Sequence, residues 1–574
     1  MDTVNKNEVL LKDNREWLYF GHPLKIFNAE ELDQVIPALQ EIEERVEQDN
    51  LYAAGFLSYE AAPAFDSALP SKPTDGFPYL WFGLYPPPQT VKLPEPQSPR
   101  PTLTWQPTVD RETYHSSIEQ IKDHIAEGRT YQVNYTMRLQ TDFIGSPWDF
   151  FLHLAQSQNN HAAYLDTGRH AICSASPELF FQLDGDTVTC RPMKGTVKRG
   201  RTTSEDHAQS QWLKASQKNR AENIMIVDMV RNDLGRLAKS GSVHVPELFN
   251  TERYPTLWQM TSTVTAQTNK PLTEIFRALF PSASITGAPK VSTMKIINQL
   301  ESTPRRIYTG SIGYISPKRK AKFNVAIRTV LVDCKNQKAE YGVGGGIVWD
   351  STSPDEYAEA LLKARILTKP QPEFSLLETM LWSPHEGFFL RDKHIERLLD
   401  SADYFDFPVS PKNIDEYFHQ IASQLNTPQR VRLLLDRDGN ITSKLTAHQP
   451  TEKVIQACLA AEPINSTDVF LFHKTTQRAV YEKALAGHPD CDDVLLYNKH
   501  NELTEFTIGN LIVELDGELV TPPVECGLLP GTFRAHVLET GQVVERAVPV
   551  QHLQDCTRIF RVNSIRKWEQ VQLQ

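Results

Sequence analysis

Residues 221–235, AENIMIVDMVRNDLG, and residues 353–363, SPDEYAEALLK, place Glu222 in one stretch and Glu356 and Glu359 in another. On a helix over the second stretch, Glu356 and Glu359 lie one turn apart on one face, with Lys363 four residues beyond Glu359. Hard oxygen ligands in twos and threes suit Mg²⁺, which needs few protein carboxylates when a substrate supplies the others. The same spacing also describes an exposed Glu359–Lys363 ion pair, and on spacing alone that is the commoner meaning. Ser353 and Glu356 have the spacing of a capping box, with Pro354 in the first helical position.

Three further clusters carry chemistry. GVGGGIV, residues 342–348, holds Gly345 and Gly346 in a strand-like run, where glycine weakens a strand unless a bulge or close approach to a ligand compensates. In SITGAPKVSTM, residues 284–294, Thr286, Gly287 and Pro289 precede a helix whose first amides can meet an anion. Arg328, in NVAIRTV, is a charge amid an apolar strand, and a bidentate carboxylate partner is the natural reason to tolerate it. Each alone is more often ordinary structure than a site.

Together they are not. SASPELFF (174–181), RPMKGT (191–196), AENIMIVDMVRNDLG, ITGAPK (285–290), YTGSIGYI (308–315), NVAIRT (324–329) and VGGGIV (343–348), followed by EYAE (356–359), occur in that order. Over roughly residues 110–368 they resemble the chorismate-utilising enzymes: anthranilate synthase large subunits, aminodeoxychorismate synthase component I and the isochorismate synthases. The resemblance implies an α+β fold, a two-sheet sandwich with outer helices and a site between the sheets. It also implies Mg²⁺ on Glu222 and Glu359 with Glu356 near, and substrate carboxylates held by Arg328, Tyr308, Lys363, Thr286 and the amides of Gly287, Gly345 and Gly346.

Two positions narrow the reaction. Relatives that add water to the ring carry a lysine base where EGRTYQVNYT has Gln132, and an amide cannot take a proton from water at neutral pH. Anthranilate synthases resemble PIAGT, and aminodeoxychorismate synthases PIKGT, where this chain has PMKGT with Lys194. Outside the family frame Lys194 reads as a solvated loop lysine beside Lys198, Arg199 and Arg201; inside it, as a nucleophile whose pKa must be depressed from about 10.4. Glu178 is then the general acid. Gln259 stands where several relatives have histidine and is given no proton transfer. Ser282 and Ala283 replace two common glycines, and Met193 stands for isoleucine. No cysteine lies in a GxCxGxQ-like turn, so ammonia is expected from a separate glutamine amidotransferase subunit or from solution. Tyr59 and Glu60, in YAAGFLSYEAAPAFD, are read as packing residues.

Residues 375–574 carry a second constellation: Lys474 in FLFHKTTQRAVYE after an apolar run read as a strand, Glu505 in LTEFTIGNLIVE, Arg397 in RDKHIERLLDSADYF, and Gly531–Thr532 opening a helix in GLLPGTFRAHVLE. A lysine for an imine, a carboxylate for a pyridinium nitrogen, and arginine with helix-start amides for phosphate make a pyridoxal 5'-phosphate site. The segment resembles fold type IV pyridoxal phosphate enzymes: branched-chain and D-amino-acid aminotransferases and 4-amino-4-deoxychorismate lyase. The resemblance assigns the imine to Lys474, the pyridine nitrogen to Glu505, and phosphate to Arg397, Ile508 and Thr532; it implies a dimer through this segment. The expectation is bifunctional 4-aminobenzoate synthesis from chorismate and ammonia, for folate. The alternatives are an aminotransferase second half, an anthranilate synthase-like first half, or a non-catalytic scaffold.

The rest of the 574 residues bounds these readings. Proline-rich YPPPQTVKLPEPQSPRPT (85–102) and TKPQPEF (368–374) punctuate the chain, giving expected segments 1–104, 105–368, a linker at 369–374, and 375–574. HAAYLD, TRIFRVN, FNVAIRTVLV and GNLIVEL read as strands, and residues 111–128 and 392–405 as helices. A net charge of -11 argues against nucleic acid held by a basic surface. Seven dispersed cysteines, never in a CxxC pair, suggest neither a disulfide framework nor a zinc ribbon and point to a reducing, cytoplasmic setting. No stretch has the apolar length of a signal peptide or membrane span.

Overall fold

The computed structural model describes residues 3–14, 16–155, 161–367, 372–449 and 453–574. Residues 369–371 of the expected linker lie outside them. The chain forms two compact units, Met1–Lys198 with Ser210–Gln371, and Arg199–Gln209 with Pro372–Gln574.

The first unit is built on two ten-stranded sheets. One sets Gln132–Asp142, Lys338–Ile347, Thr329–Asp333, His170–Ser176, His161–Asp166 and Val9–Asp13 side by side; the other sets Met193–Lys198, Leu257–Gln267, Thr187–Cys190, Leu179–Asp184, Lys320–Val325, Ser311–Ser316 and Tyr52–Leu57. The segment before residue 92 thus gives strands to both sheets. Between the sheets, Val9, Ile172 and Leu331 of one meet Phe56, Trp81 and Ile312 of the other. Fully burying such side chains contributes about 1.5–3 kcal/mol each.

Helices cover the outer faces. Val35–Gln48 turns Val35, Leu39, Ile42 and Val46 inward at helical spacing, and Leu272–Leu279 adds Ile275 and Phe276 against Phe323. Arg111–Ala126, begun by the Asp110 carboxylate accepting from Thr113 N–H, covers the other sheet with Tyr114, Ile118 and Ile121. The result is the two-sheet sandwich with outer helices.

Three expectations are corrected. FNVAIRTVLV is not one strand: Lys320–Val325 lies in one sheet and Thr329–Asp333 in the other. Arg328 is at the crossover, with φ 51°, and not amid a strand. The helix Ser353–Lys363 is capped one residue earlier, at Thr352; Glu356 takes the Ser351 hydroxyl at 2.7 Å and makes no capping box with Ser353.

In the second unit a four-stranded sheet pairs Leu376–Ser383 with Gln429–Leu435, backed by the helices Arg391–Phe405 and Pro411–Ala422. An eight-stranded sheet holds Ile455–Leu459 parallel to Asp493–Tyr497, beside Leu503–Phe506 and Gly509–Leu515. That parallel pairing corrects the cysteine reading: Cys458 and Cys491 are joined as a disulfide, Cα to Cα 6.0 Å, across 33 residues of sequence. The strand before Lys474 is also absent; a short 3₁₀ turn, Val469–Leu471, leads into it.

Candidate active sites

Lys194 stands on a β-bulge. In the pairing of Met193–Lys198 with Leu257–Gln267, Met193 opposes Thr261 and Thr196 opposes Gln259, so Lys194 and Gly195 share one partner position. A bulge re-aims a side chain, and Gly195 supplies the φ of +89° that this one needs. Gln259 fixes the bulge by donating Nε2–H to Gly195 O at 2.9 Å. The lysine amine points into the interior: a Cβ on Gly346 would lie 3.0 Å from Lys194 Nζ and 2.9 Å from Gln132 Nε2. Burial lowers the Lys194 pKa, and the Lys363 charge lowers it further against the opposing Glu178, Glu222 and Glu359. Gln132 Nε2 is buried with no hydrogen-bond partner, so an amide donor faces the same space as the amine.

Glu178 lies where the chain leaves His170–Ser176 of one sheet for Leu179–Asp184 of the other. Only 4% exposed, it accepts the Ser284 hydroxyl at 2.6 Å. Burial raises its pKa to about 7, which places a protonated carboxyl within reach of neutral pH. This crossover is bonded to the one bearing Arg328: Val325 N–H donates to Glu178 O and Ala175 N–H to Arg328 O, both at 3.0 Å.

Glu356 Oε2 would lie 3.0 Å from a Cβ on Gly345. Burial raises the Glu356 pKa, and Glu359 adds to it. For Glu359 burial acts the same way but Lys363, at 2.9 Å, outweighs it and the pKa falls. The exposed i,i+4 pair therefore forms, while Lys363 Nζ also donates to Gly344 O at 2.8 Å. Two like charges one turn apart over a glycine strand fit a hard divalent cation, which relieves their repulsion. With Glu222 they do not close a cluster of three ligand oxygens within 4.8 Å of one another.

The remaining predicted groups are placed differently. Tyr308 is buried with its ring against Gly342 and the Arg138 guanidinium 5.1 Å above. The Thr286 hydroxyl is spent on Ser282 O at 3.1 Å. Gly287 pairs with Val133 at φ +144°, where a Cβ would meet Gln132 O at 2.0 Å, so only glycine fits. Glu60 accepts the backbone N–H of Arg305 and Arg306 at 2.7 and 2.9 Å, and Tyr59 lies under the Arg305 guanidinium, as packing residues do.

In the second unit Lys474 is tied to the strand Leu376–Ser383 by Leu377 N–H donating to its carbonyl at 2.9 Å. Burial, with Arg397 nearby, pulls its amine to about 8. Glu505, 3% exposed, receives Tyr481 O–H at 2.8 Å, Asn510 Nδ2–H at 3.1 Å and Leu529 N–H at 3.1 Å; burial still raises it to about 7. Arg397 binds Glu378 through Nε and Nη2 and Pro530 O through Nη1, using three of its five donors. Thr532 opens the helix Thr532–Glu539 and its hydroxyl meets His394 Nε2 at 3.2 Å. Ile508 forms the exposed turn between Leu503–Phe506 and Gly509–Leu515. A lysine lowered to about 8, a buried carboxylate for a ring N–H⁺, and an arginine with spare donors beside a helix start fit pyridoxal phosphate.

Sequence reasoning missed Glu378, His394, Tyr481 and Asn510. Glu378, in LLETMLW, carried the same signal as Arg328, a charge in an apolar strand.

Residues 6–369 match the chorismate binding enzyme family, and the chain belongs to it. Residues 375–573 match the amino-transferase class IV family. Aminodeoxychorismate synthase component 1 of Escherichia coli (strain K12) is 41% identical over 271 residues, 47% of this chain and 59% of that protein. Aminodeoxychorismate synthase of Streptomyces griseus is 40% identical over 283 residues, 48% of this chain and 39% of that protein. The chain thus spans well under two thirds of the length of these relatives. The fold of anthranilate synthase component I from Streptococcus pneumoniae covers 64% of this chain and 94% of its own, at a TM-score of 0.54 and 23% identity. Among the described residues no helix is long and apolar enough to cross a membrane.

Proposed function

We propose that the chain makes 4-aminobenzoate from chorismate and ammonia in two steps, amination to 4-amino-4-deoxychorismate in the first unit and loss of pyruvate in the second. The observation that carries the first step is the bulged Lys194 amine facing Gly346 and Gln132, its pKa lowered by burial. Lys194 Nζ bonds to ring C2 while Glu178 gives its proton to the departing C4 hydroxyl, which leaves as water. Ammonia then bonds to C4 and the lysine leaves C2, restoring the amine. Gln132 orients the ring by donation and cannot activate water, which keeps the product an amine. Arg328 and the Gly345–Gly346 amides bind carboxylates. Glu222, Glu356 and Glu359 would hold Mg²⁺, which supplies charge stabilisation at a substrate carboxylate. Ammonia comes from a separate amidotransferase subunit or from solution.

In the second unit Lys474 and Glu505 would hold pyridoxal phosphate, with Arg397, Thr532 and the Ile508 turn at its phosphate. The cofactor supplies an electron sink for the carbon next to the amine. Lys474, near pKa 8, takes and returns the proton at that carbon. The match to class IV amino-transferases favours one second reading, amino-group transfer in this unit. Incubating the full chain with chorismate, ammonium and Mg²⁺, with and without pyridoxal phosphate, tests both. 4-Aminobenzoate and pyruvate only with the cofactor, and aminodeoxychorismate without it, are expected; anthranilate would overturn the first step, and no pyruvate the second.

A further inference from the structure

The Cys458–Cys491 pair has a third member. His488 lies three residues before Cys491, in HPDC, where the chain leaves the helix Ala479–Ala486 for the strand Asp493–Tyr497. Both sulfurs and an imidazole nitrogen lie within 4.8 Å of one another, the only such group of three among the described residues. His488 N–H donates to Leu485 O at 3.0 Å and Cys491 N–H to His488 O at 3.2 Å, so the turn carrying two of the three is fixed by its backbone. Cys458 comes from the neighbouring parallel strand, where it pairs with Val494. His488 Nε2 is buried and has no hydrogen-bond partner. A buried ring nitrogen without a partner calls for one.

We propose that in the reduced chain Cys458, Cys491 and His488 bind one Zn²⁺, and that the disulfide is the metal-free, oxidised form of the same site. A dithiol reduces the bridge by two electrons and two protons, leaving as its own disulfide. Zn²⁺ then displaces the two thiol protons and takes the imidazole lone pair. Two thiolates and an imidazole are a donor set zinc prefers. Bonds of about 2.0–2.3 Å in a tetrahedron need ligand atoms roughly 3.5 Å apart, which the cluster allows, and water takes the fourth corner. The site is distinct from the glutamate cluster of the first unit and from Lys474. It closes the C-terminal end of the helix whose Tyr481 donates to Glu505.

The test uses the full-length chain, reduced with dithiothreitol, desalted without air, and titrated with Co²⁺ as a spectroscopic stand-in for Zn²⁺. One equivalent with a thiolate-to-cobalt charge-transfer band is expected, displaced by Zn²⁺, with Cys458 and Cys491 both protected from alkylation by peptide mass. Unreduced chain should give no band. Cys458→Ser and Cys491→Ser should lose it, and His488→Ala, which keeps both thiols, should bind at least tenfold more weakly. No band in the reduced wild type, a band surviving Cys458→Ser, or unchanged affinity in His488→Ala would overturn the proposal. The band reports sulfur ligands, so Co²⁺ bound by the glutamates of the first unit does not produce it.

Discussion

Arg397 and Glu378 meet as a buried two-point ion pair, Nε to Oε1 at 2.9 Å and Nη2 to Oε2 at 2.7 Å. Burial disfavours the Glu378 carboxylate, but Arg397 and then His394 outweigh it and draw its pKa down to about 2. The pair fixes the guanidinium that the proposed phosphate would meet. Removing one partner of such a pair costs about 3–5 kcal/mol, because the other charge stays buried. Glu378→Ala should therefore lower the chemical-denaturation midpoint, and Glu378→Ala with Arg397→Met should recover most of the loss. A carboxylate depressed from 4.5 to about 2 contributes stability that is full above 4.5 and lost as pH falls toward 2. That acid limb should flatten in Glu378→Gln.

Glu178 must be protonated to act as an acid, and its pKa is raised to about 7. Chorismate amination with saturating ammonium should carry a limb set by Glu178 near pH 7, where the carboxyl loses the proton it must give. Glu178→Gln keeps the volume and loses the proton. Its rate should drop about 10²–10⁴-fold and that limb should disappear.

Lys194→Ala, incubated with chorismate and followed by intact mass and product chromatography, should show neither a covalent adduct nor aminodeoxychorismate. Added aminodeoxychorismate should still be converted by the second unit. Undiminished amination would remove the nucleophile from the mechanism.

Gln259 acts through Lys194, since its amide holds Gly195 O at 2.9 Å and so fixes the bulge. Gln259→Ala should lower kcat for amination about tenfold, or about 1.4 kcal/mol, with little change in KM. Gln259→Asn, too short for the same bond, should behave like alanine. A change confined to KM would place Gln259 on the substrate.

Chelation by EDTA should abolish amination, and Mg²⁺ should restore it, while pyruvate release from added aminodeoxychorismate is untouched. Glu359→Gln should raise the Mg²⁺ concentration needed for half activity at least tenfold.

Much of this was legible in the sequence because it is local. The glycine run of Lys338–Ile347, the carboxylates one turn apart on Ser353–Lys363 and the helix opened at Thr532 each follow from neighbours a few residues away. Lys194 was legible as a residue type but its bulge was not, since it depends on which strand lies opposite. Arg328 looked like a strand residue because the apolar pattern continues unbroken through a crossover; both sides are buried, so hydropathy does not change where the sheet does. Cys458 and Cys491 are brought together by the parallel pairing of Ile455–Leu459 with Asp493–Tyr497, which a separation of 33 in sequence conceals.

The two bonded crossovers have a consequence for how the first site tolerates change. The proposed proton donor, Glu178, and the proposed anion binder, Arg328, hang from a shared hinge pin, each on a backbone segment that answers to both layers. A one-residue insertion in either segment would swing the two groups together, keeping their mutual spacing while carrying both away from the amine. Natural drift in this region should then favour side-chain exchange over changes in length.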